Sequence, residues 1–254
     1  MAGHCIKAIT FDLWDTVIND DSDEPKRAAL GLRPKRDQRP YAVFKALDQG
    51  DPISQEDISL AYEAVNDEFN RVWHDEYLTW TVSERIGHIL DKLDRTLSPR
   101  DFSDLVAILE DMELEVPPDP IEGVGAALEE LSKAYPLAVV SDTIFSPGRN
   151  LRKWLDLHGL LQYFSGFAFS DEVGRSKPDP AIFASAATQL GVELNEMVHI
   201  GDREHNDIKG AHALGMRAIL FTATRDTDAK NTTADAVCPS YLELPGILNR
   251  LDTQ

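Results

Sequence analysis

The chain has 254 residues, 43% hydrophobic and 27% charged, which fits one large or two small globular domains and excludes a fibrous or disordered polypeptide. Its 25 basic and 44 acidic residues give a formal charge of −19, so neither a nucleic-acid backbone nor an anionic membrane is an expected partner, whereas a locally held cation is compatible with it. Two cysteines, Cys5 and Cys238, are too few for a disulfide scaffold and point to a reducing, cytoplasmic compartment, with both expected as small buried hydrophobes. The first residues lack an apolar signal-like run and nothing approaches the ~18 apolar residues that span a bilayer, so secretion and membrane anchoring are not expected.

Residues 6–11 form a short β-branched and apolar run that stops at Asp12, the pattern of a strand inside a sheet. From about residue 18 to residue 117 the spacing is helical, with apolar residues recurring at three and four over 41–47, 55–73, 82–93 and 99–114. Turn signals at Gly50-Asp51-Pro52 and Leu97-Ser98-Pro99 separate these stretches. Strand-like runs resume at 137–140 and recur at 167–169, 197–200, 218–221 and, more weakly, 236–237. Helical spacing over 124–131, 151–161, 182–190 and 208–214 lies between them. Such alternation predicts a Rossmann-like α/β fold, a parallel sheet with helices on both faces and right-handed crossovers. The block that interrupts it predicts an inserted all-helical domain. The expected division is an α/β core of residues 1–19 and 115–254 and a helical cap of residues 20–114. Val116-Pro117-Pro118-Asp119-Pro120 is the expected return linker.

In open α/β sheets ligands sit beyond the carboxyl ends of the strands, so the residues after each run carry the functional reading. They are Asp12-Leu13-Trp14-Asp15-Thr16 after the first run and Ser141-Asp142-Thr143 after the second. The third is followed by Ser170-Asp171-Glu172 and then Gly174-Arg175-Ser176-Lys177-Pro178-Asp179-Pro180, the fourth by Gly201-Asp202-Arg203-Glu204-His205-Asn206-Asp207. One aspartate after a strand is ordinarily a helix N-cap. Four polar strand ends in succession are the pattern of one shared site. His199, inside the fourth run, is expected to be a satisfied core residue, and His205 to be exposed.

Asp12 with Thr16, then Ser141, then Lys177 before Pro178-Asp179-Pro180, then Gly201-Asp202 with Asp207, Gly210-Ala211 and Gly215-Met216, stand in the order and spacing of four known motifs. In these the chain resembles the haloacid dehalogenase-like hydrolase superfamily over its whole length, including members whose helical cap follows the first motif. The resemblance implies a hydrolase in which Asp12 attacks the substrate and forms a covalent aspartyl intermediate that water cleaves. It implies that Ser141, Asp142 and Lys177 bind the substrate. It further implies Mg²⁺ held by Asp12, Asp202 and the backbone carbonyl of Trp14, with Asp207 a ligand through water or a group that orients Lys177. The physical chemistry agrees. A carboxylate becomes a competent nucleophile when a cation and donors fix it, phosphoryl transfer is governed by positioning and charge neutralisation, and Mg²⁺ prefers oxygen ligands. The implied partner is a small, phosphorylated molecule bound by a monomer or homodimer.

The chain departs from the pattern at one point. Phosphatases of the superfamily carry a second aspartate two residues after the nucleophile, which protonates the leaving oxygen. Here that residue is Trp14, and the next position, usually glycine, is Asp15. Such acid–base help contributes about 10²–10⁴-fold, so a phosphohydrolase would need a good leaving group, or an acid from Asp15 or the cap. The 2-haloacid dehalogenases carry an aromatic residue at this position, but usually show serine and asparagine in the fourth motif, where this chain has Asp202, and Ser-Asn where it has Ser141-Asp142. Phosphohydrolase therefore ranks first and dehalogenase second. A phosphonatase would need a cap lysine, with Lys26, Lys35 and Lys45 available, and ranks third. A non-catalytic binder of phosphorylated ligands is disfavoured by Asp12, Lys177 and Asp202 together. Within the insert, Trp73, His74, Tyr77 and Trp80 are expected to pack inside it rather than touch substrate, and Arg71 and Arg85 are candidate anion contacts.

Overall fold

The computed structural model describes residues 5–48 and 52–253, so the expected turn at Gly50-Asp51 lies outside the described residues. The chain divides into two compact units, one of residues 1–20, 119–142 and 155–254, the other of residues 21–118 and 143–154.

The first unit is built on six strands: β1 (Ala8–Phe11), β2 (Leu137–Ser141), β3 (Gly166–Phe169), β4 (Met197–Gly201), β5 (Arg217–Phe221) and β6 (Ala236–Cys238). They form one sheet in the order β3-β2-β1-β4-β5-β6, and every neighbouring pair is parallel. β1, β2 and β4 are buried at every residue, as strands covered on both faces must be. Alternate side chains define the two faces. Ala8, Ala138, Val140, Met197, Ala218 and Leu220 pack with Ile182, Phe183 and Ala186 of the helix Pro180–Leu190, while Ile9, Phe11, Val139, Val198, Ile200 and Ile219 are buried in the alternate positions. The predicted α/β fold is therefore the observed one.

The helix Pro180–Leu190 shows how sequence sets a boundary. Asp179 accepts a hydrogen bond from the Ala181 N–H, Pro180 occupies the first turn, and Gly191 ends the helix in the left-handed region. Its fully buried Ile182 and Phe183 each contribute roughly 1.5–3 kcal/mol of apolar burial. The helix expected over 208–214 is instead a π-helical turn, Glu204–Lys209, running into Gly210–Ala213. π-helical turns are frequent at functional sites.

Among its described residues the regular elements of the second unit are all helices. Its main helices are Lys35–Leu47, Gln55–Glu76, Val82–Lys92 and Pro99–Glu110. Ser54, Thr81 and Ser98 cap three of them, Thr81 within a capping box closed by Glu84. Val43, Ile58, Val65, Ile86, Ile89, Leu105 and Leu109 form its core, with Phe145 packed against it.

Among the described residues no helix is long and apolar enough to cross a membrane. Both cysteines are free, but only Cys238 is buried. Cys5 is exposed, correcting the expectation that both are core residues: it precedes the buried Ile6, which leads into β1, and its thiol lies 3.8 Å from the Asp252 carboxylate at the surface.

Candidate active site

Because β2, β1 and β4 are parallel neighbours, their carboxyl ends place Ser141, Asp12 and Asp202 along one edge of the sheet. The Asp12 N–H donates to the Ile200 carbonyl at 2.9 Å, continuing the β1–β4 ladder one residue beyond the strand. Lys177 reaches the same edge from the loop before Pro180–Leu190. Its ammonium lies 2.8 Å from Asp12 Oδ1 and 2.6 Å from Asp207 Oδ1. Ligand oxygens of Asp12, Asp202 and Asp207 fall within 4.8 Å of one another. Residues separated by up to 195 positions in sequence thus meet in one buried cluster.

The four carboxylates of the cluster have different surroundings. Asp142 accepts the Lys177 backbone N–H at 2.8 Å through Oδ1 and the Asn206 amide at 3.3 Å through Oδ2. It ties the Lys177 loop and the π-helical turn to the end of β2. Burial, with the nearby Asp12 and Asp207 charges, pushes its carboxyl up to about 7. Asp207 is saturated: Lys177 Nζ and His199 Nε2 both meet Oδ1, the latter at 3.1 Å, and the Arg203 N–H donates to Oδ2 at 2.9 Å. Burial opposes its ionisation, but the Lys177 ammonium and the His199 hydrogen bond overcome it and hold the carboxyl well below the usual range. The same pairing keeps Lys177 charged despite burial.

Asp202 is the opposite case. It is 1% exposed, and neither carboxylate oxygen has a hydrogen-bond partner. The guanidinium groups of Arg203 and Arg225 stand 3.8 Å away, beyond hydrogen-bond distance. Burial, reinforced by Asp207 and Asp12, pushes its carboxyl up to about 8. A buried carboxylate without donors is costly unless something neutralises it. Hard oxygen donors around an unsatisfied carboxylate fit a divalent cation of the Mg²⁺ type.

Glycine makes this crowding feasible. A Cβ added at Gly201 would lie 2.2 Å from Asp207 Cγ, so no side chain fits there. Asp15 adopts φ +54°, a conformation that costs most residues strain and that Gly, Asn and Asp tolerate best. This is a physical reason for aspartate being acceptable here. Its carboxyl is half-buried, accepts the Asp20 backbone N–H, and is raised chiefly by burial. Thr16 is fully buried with its hydroxyl unpartnered, and the Tyr241 hydroxyl donates to its carbonyl at 2.6 Å. Ser141 is fully buried, its hydroxyl making only a 3.4 Å contact with the Asp142 carbonyl. Trp14 is partly buried and bridges to Ile18.

Residues of the helical unit fare unevenly. Trp73 and Trp80 pack on Phe69 at 6.4 and 6.1 Å, as internal packing predicts, whereas His74 is exposed. Arg71 is exposed and pairs with Glu76. Arg85 is buried, donating to the Ile144 carbonyl at 2.8 Å and to Asn66 at 2.5 Å, between the rings of Phe69 and Phe145. Lys45 is exposed beside Asp48, Lys26 donates to the Pro117 carbonyl, and Lys35 is buried against Asp23.

The sequence reading did not pick out Arg225, whose Nη1 donates to the Asp202 carbonyl at 2.9 Å and is anchored by Asp228 at 2.8 Å. It follows the fifth strand, and extending the strand-end rule one strand further finds it. Nor did it give His199 a place beside Asp207. His199 is a fully buried, satisfied residue as expected, and His205 is exposed.

A family model described as a haloacid dehalogenase-like hydrolase matches residues 6–215. The chain is similar to a glyceraldehyde 3-phosphate phosphatase of Methanothermobacter thermautotrophicus, 29% identical over 259 residues covering 96% of this chain and 100% of the relative. It is 27% identical over 217 residues to the 5-amino-6-(5-phospho-D-ribitylamino)uracil phosphatase YigB of Escherichia coli, covering 84% of this chain and 82% of the relative. A 2-haloacid dehalogenase from Pseudomonas syringae superposes with a TM-score of 0.65 at 26% identity, covering 96% of this chain and 99% of the other. A HAD phosphatase from Thermococcus onnurineus shares the fold at the same TM-score of 0.65 and 24% identity, covering 96% and 98%. The family match spans every residue of the cluster from Asp12 to Asp207, and the chain is an enzyme of the haloacid dehalogenase-like hydrolase family.

Proposed function

We propose that the enzyme is a cytoplasmic, Mg²⁺-dependent phosphohydrolase of small metabolites, acting through a covalent intermediate on Asp12. The observation that carries this reading is the Asp202 carboxylate, buried with both oxygens unpartnered within reach of Asp12. Mg²⁺ would be held by Asp12, Asp202 and the Trp14 carbonyl, and bound there would supply positive charge for the phosphoryl oxygens. Asp207, already taken up by three donors, suits the orienting role better than direct ligation.

Asp12 attacks phosphorus, the bond from phosphorus to the ester oxygen breaks, and the leaving oxygen takes a proton. Water then cleaves the aspartyl phosphate, releasing inorganic phosphate and restoring the Asp12 carboxylate. The Lys177 ammonium, fixed by Asp207, neutralises charge on the transferring group. The Ser141 hydroxyl, weakly engaged, can donate to a phosphoryl oxygen. Trp14 offers no acid, so the proton comes from Asp15, whose carboxyl burial raises, or the substrate has a good leaving group. The relatives named as phosphatases of glyceraldehyde 3-phosphate and of a phosphoribityl compound support a small phosphorylated sugar-type substrate.

The second reading, 2-haloacid dehalogenase, is favoured by Trp14 and by the structural likeness to such an enzyme. That chemistry gives the unpartnered Asp202 no task. The test is turnover of p-nitrophenyl phosphate, glyceraldehyde 3-phosphate and 2-chloropropionate, each with Mg²⁺ and with EDTA. Phosphate release that EDTA removes and Mg²⁺ restores is the expected result. Chloride release indifferent to EDTA would establish the dehalogenase instead.

A further inference from the structure

We propose that His199 is a positioning residue of this site: locked by Thr10, it presets the Asp207 carboxylate that aims Lys177 at Asp12. The inference rests on the functional reading for what Lys177 does, but not for the geometry that follows.

His199 lies in the middle of β4 directly opposite Thr10 of β1 in the strand register. Its ring is fully buried, with the Phe183 ring edge-on at 5.1 Å. Nδ1 is 2.9 Å from the Thr10 hydroxyl and Nε2 is 3.1 Å from Asp207 Oδ1. Asp207, paired with the Lys177 ammonium, can only accept, so the ring's Nε2 carries an N–H, and in that tautomer Nδ1 accepts from the Thr10 hydroxyl. The hydroxyl's other neighbour, the Val198 carbonyl, is more distant at 3.4 Å. The hydrogen bonds therefore run one way, from Thr10 to His199 to Asp207.

Asp207 Oδ1 thus receives two donors from different directions, His199 and Lys177. With Oδ2 held by the Arg203 N–H, the carboxylate cannot rotate without breaking one of three bonds. Lys177 Nζ is closer to Asp207, at 2.6 Å, than to Asp12, at 2.8 Å. Loss of the His199 donor leaves Asp207 held only by Lys177 and the Arg203 N–H, so the ammonium is placed less firmly for the charge that develops at Asp12 and the transferring group. Hydrogen-bond partners behind metal-ligating side chains commonly set their orientation, and losing one typically costs 10–100-fold in affinity or activity, a scale carried over here to the partner behind Asp207.

The test compares His199→Phe, which keeps a ring and removes the donor, with His199→Gln, whose amide can restore an N–H toward Asp207. With p-nitrophenyl phosphate, His199→Phe is expected to lower kcat about 10–100-fold with little change in KM, and His199→Gln to recover most of the loss. Equal losses in both variants, or wild-type kcat in a folded His199→Phe, would overturn the proposal. Nitrogen NMR of the wild-type ring reads the same claim without turnover. Nε2 protonated and Nδ1 bare is expected, and a proton on Nδ1 overturns the inference even for a chain that hydrolyses no phosphate ester. If His199→Phe does not fold, this tautomer and the kcat of His199→Gln beside Thr10→Val decide. Near-wild-type kcat in His199→Gln with a several-fold fall in Thr10→Val supports the proposal, and unchanged kcat in Thr10→Val overturns it.

Discussion

The two units bury charge in opposite ways. In the helical unit the Lys35 ammonium is buried 2.8 Å from Asp23 and 3.7 Å from Glu113. Glu113 in turn receives Arg39 at 3.2 Å and the Ser146 hydroxyl at 2.7 Å. In the α/β unit three carboxylates converge, two of them, Asp12 and Asp207, sharing the Lys177 ammonium, while the third, Asp202, has no hydrogen-bond donor. Burial alone therefore does not mark a functional site in this chain. The mark is a carboxylate with neither oxygen compensated: Asp23 leaves one oxygen without a partner but holds Lys35 with the other, whereas both oxygens of Asp202 lack a donor, which costs free energy until something binds. Substitutions on either side of this contrast should differ in the sign of their effect on stability as well as in their effect on turnover.

The largest effect is expected at Asp12. Asp12→Asn keeps the shape and removes the nucleophile, so turnover should fall about 10³-fold or more while thermal unfolding stays near wild type. Retained turnover in the folded variant would remove Asp12 from the chemistry.

Next in size is Glu113→Ala, which removes the carboxylate that receives Arg39 and the Ser146 hydroxyl in the helical unit. Breaking a buried network by removing one partner costs about 3–5 kcal/mol. Urea unfolding should show a loss of that order, and a loss below about 1 kcal/mol would mean that the pairing is not a stabilising one.

Asp202→Asn should behave in the opposite sense when metal is chelated. Its folded carboxyl is raised from 3.8 to about 8, so the native state holds a proton that the unfolded chain has lost. Stability then falls as pH rises from about 4 to about 8, and below pH 4 the group contributes nothing. The amide removes that penalty, so with EDTA at pH 8 the variant should be more stable by about 1–3 kcal/mol. At pH 4 the two proteins should melt alike. Mg²⁺ should stabilise the wild type and leave the variant nearly unmoved, since only binding to the native state shifts the melt. A wild-type melting temperature that is flat from pH 4 to 8 under EDTA would contradict the account of Asp202.

Much of this contrast is legible in the sequence, and the remainder has identifiable physical causes. Asp12, Ser141 and Asp202 stand at strand ends, with Lys177 in the loop that follows the third strand, and parallel pairing of neighbouring strands brings such ends together whatever lies between. What the pattern cannot show is how each carboxylate is satisfied, because the partners come from distant elements. Asp207 and Asp202 are separated in the sequence only by what the resemblance implies, and the positions of His199, Lys177 and the Arg203 N–H supply the physical difference. Lys35 reads as a cap lysine available to a site and Arg85 as a candidate anion contact, yet both are buried, since a carboxylate in one case and two aromatic rings in the other replace water. Residues 143–154 give another example. Leu151 and Trp154 announce a buried helical face, but periodicity does not say against which surface it is buried. In the structure these residues cluster with the helical unit, where Asn150 donates to the Glu110 carbonyl at 2.9 Å.

The smallest effect is expected at Asp15, which stands between the two extremes. It is half-buried like neither network, has one backbone donor from Asp20, and is eased by the charges of Arg203 and Arg225. Its backbone is the constrained part: φ is +54°, the N–H donates to the Ile18 carbonyl at 2.7 Å, and its own carbonyl accepts the Thr224 hydroxyl at 2.7 Å. Asp15→Gly relieves the left-handed strain but gives the unfolded chain more freedom and removes a carboxylate acceptor. These contributions oppose one another, so stability should change by less than about 1 kcal/mol. Asp15→Val meets the same backbone with a branched Cβ and should lose about 1–2 kcal/mol or more. Equal unfolding midpoints for the two variants would show that this turn relaxes, and that the aspartate is held there by its carboxyl group and not by its tolerance of the left-handed region.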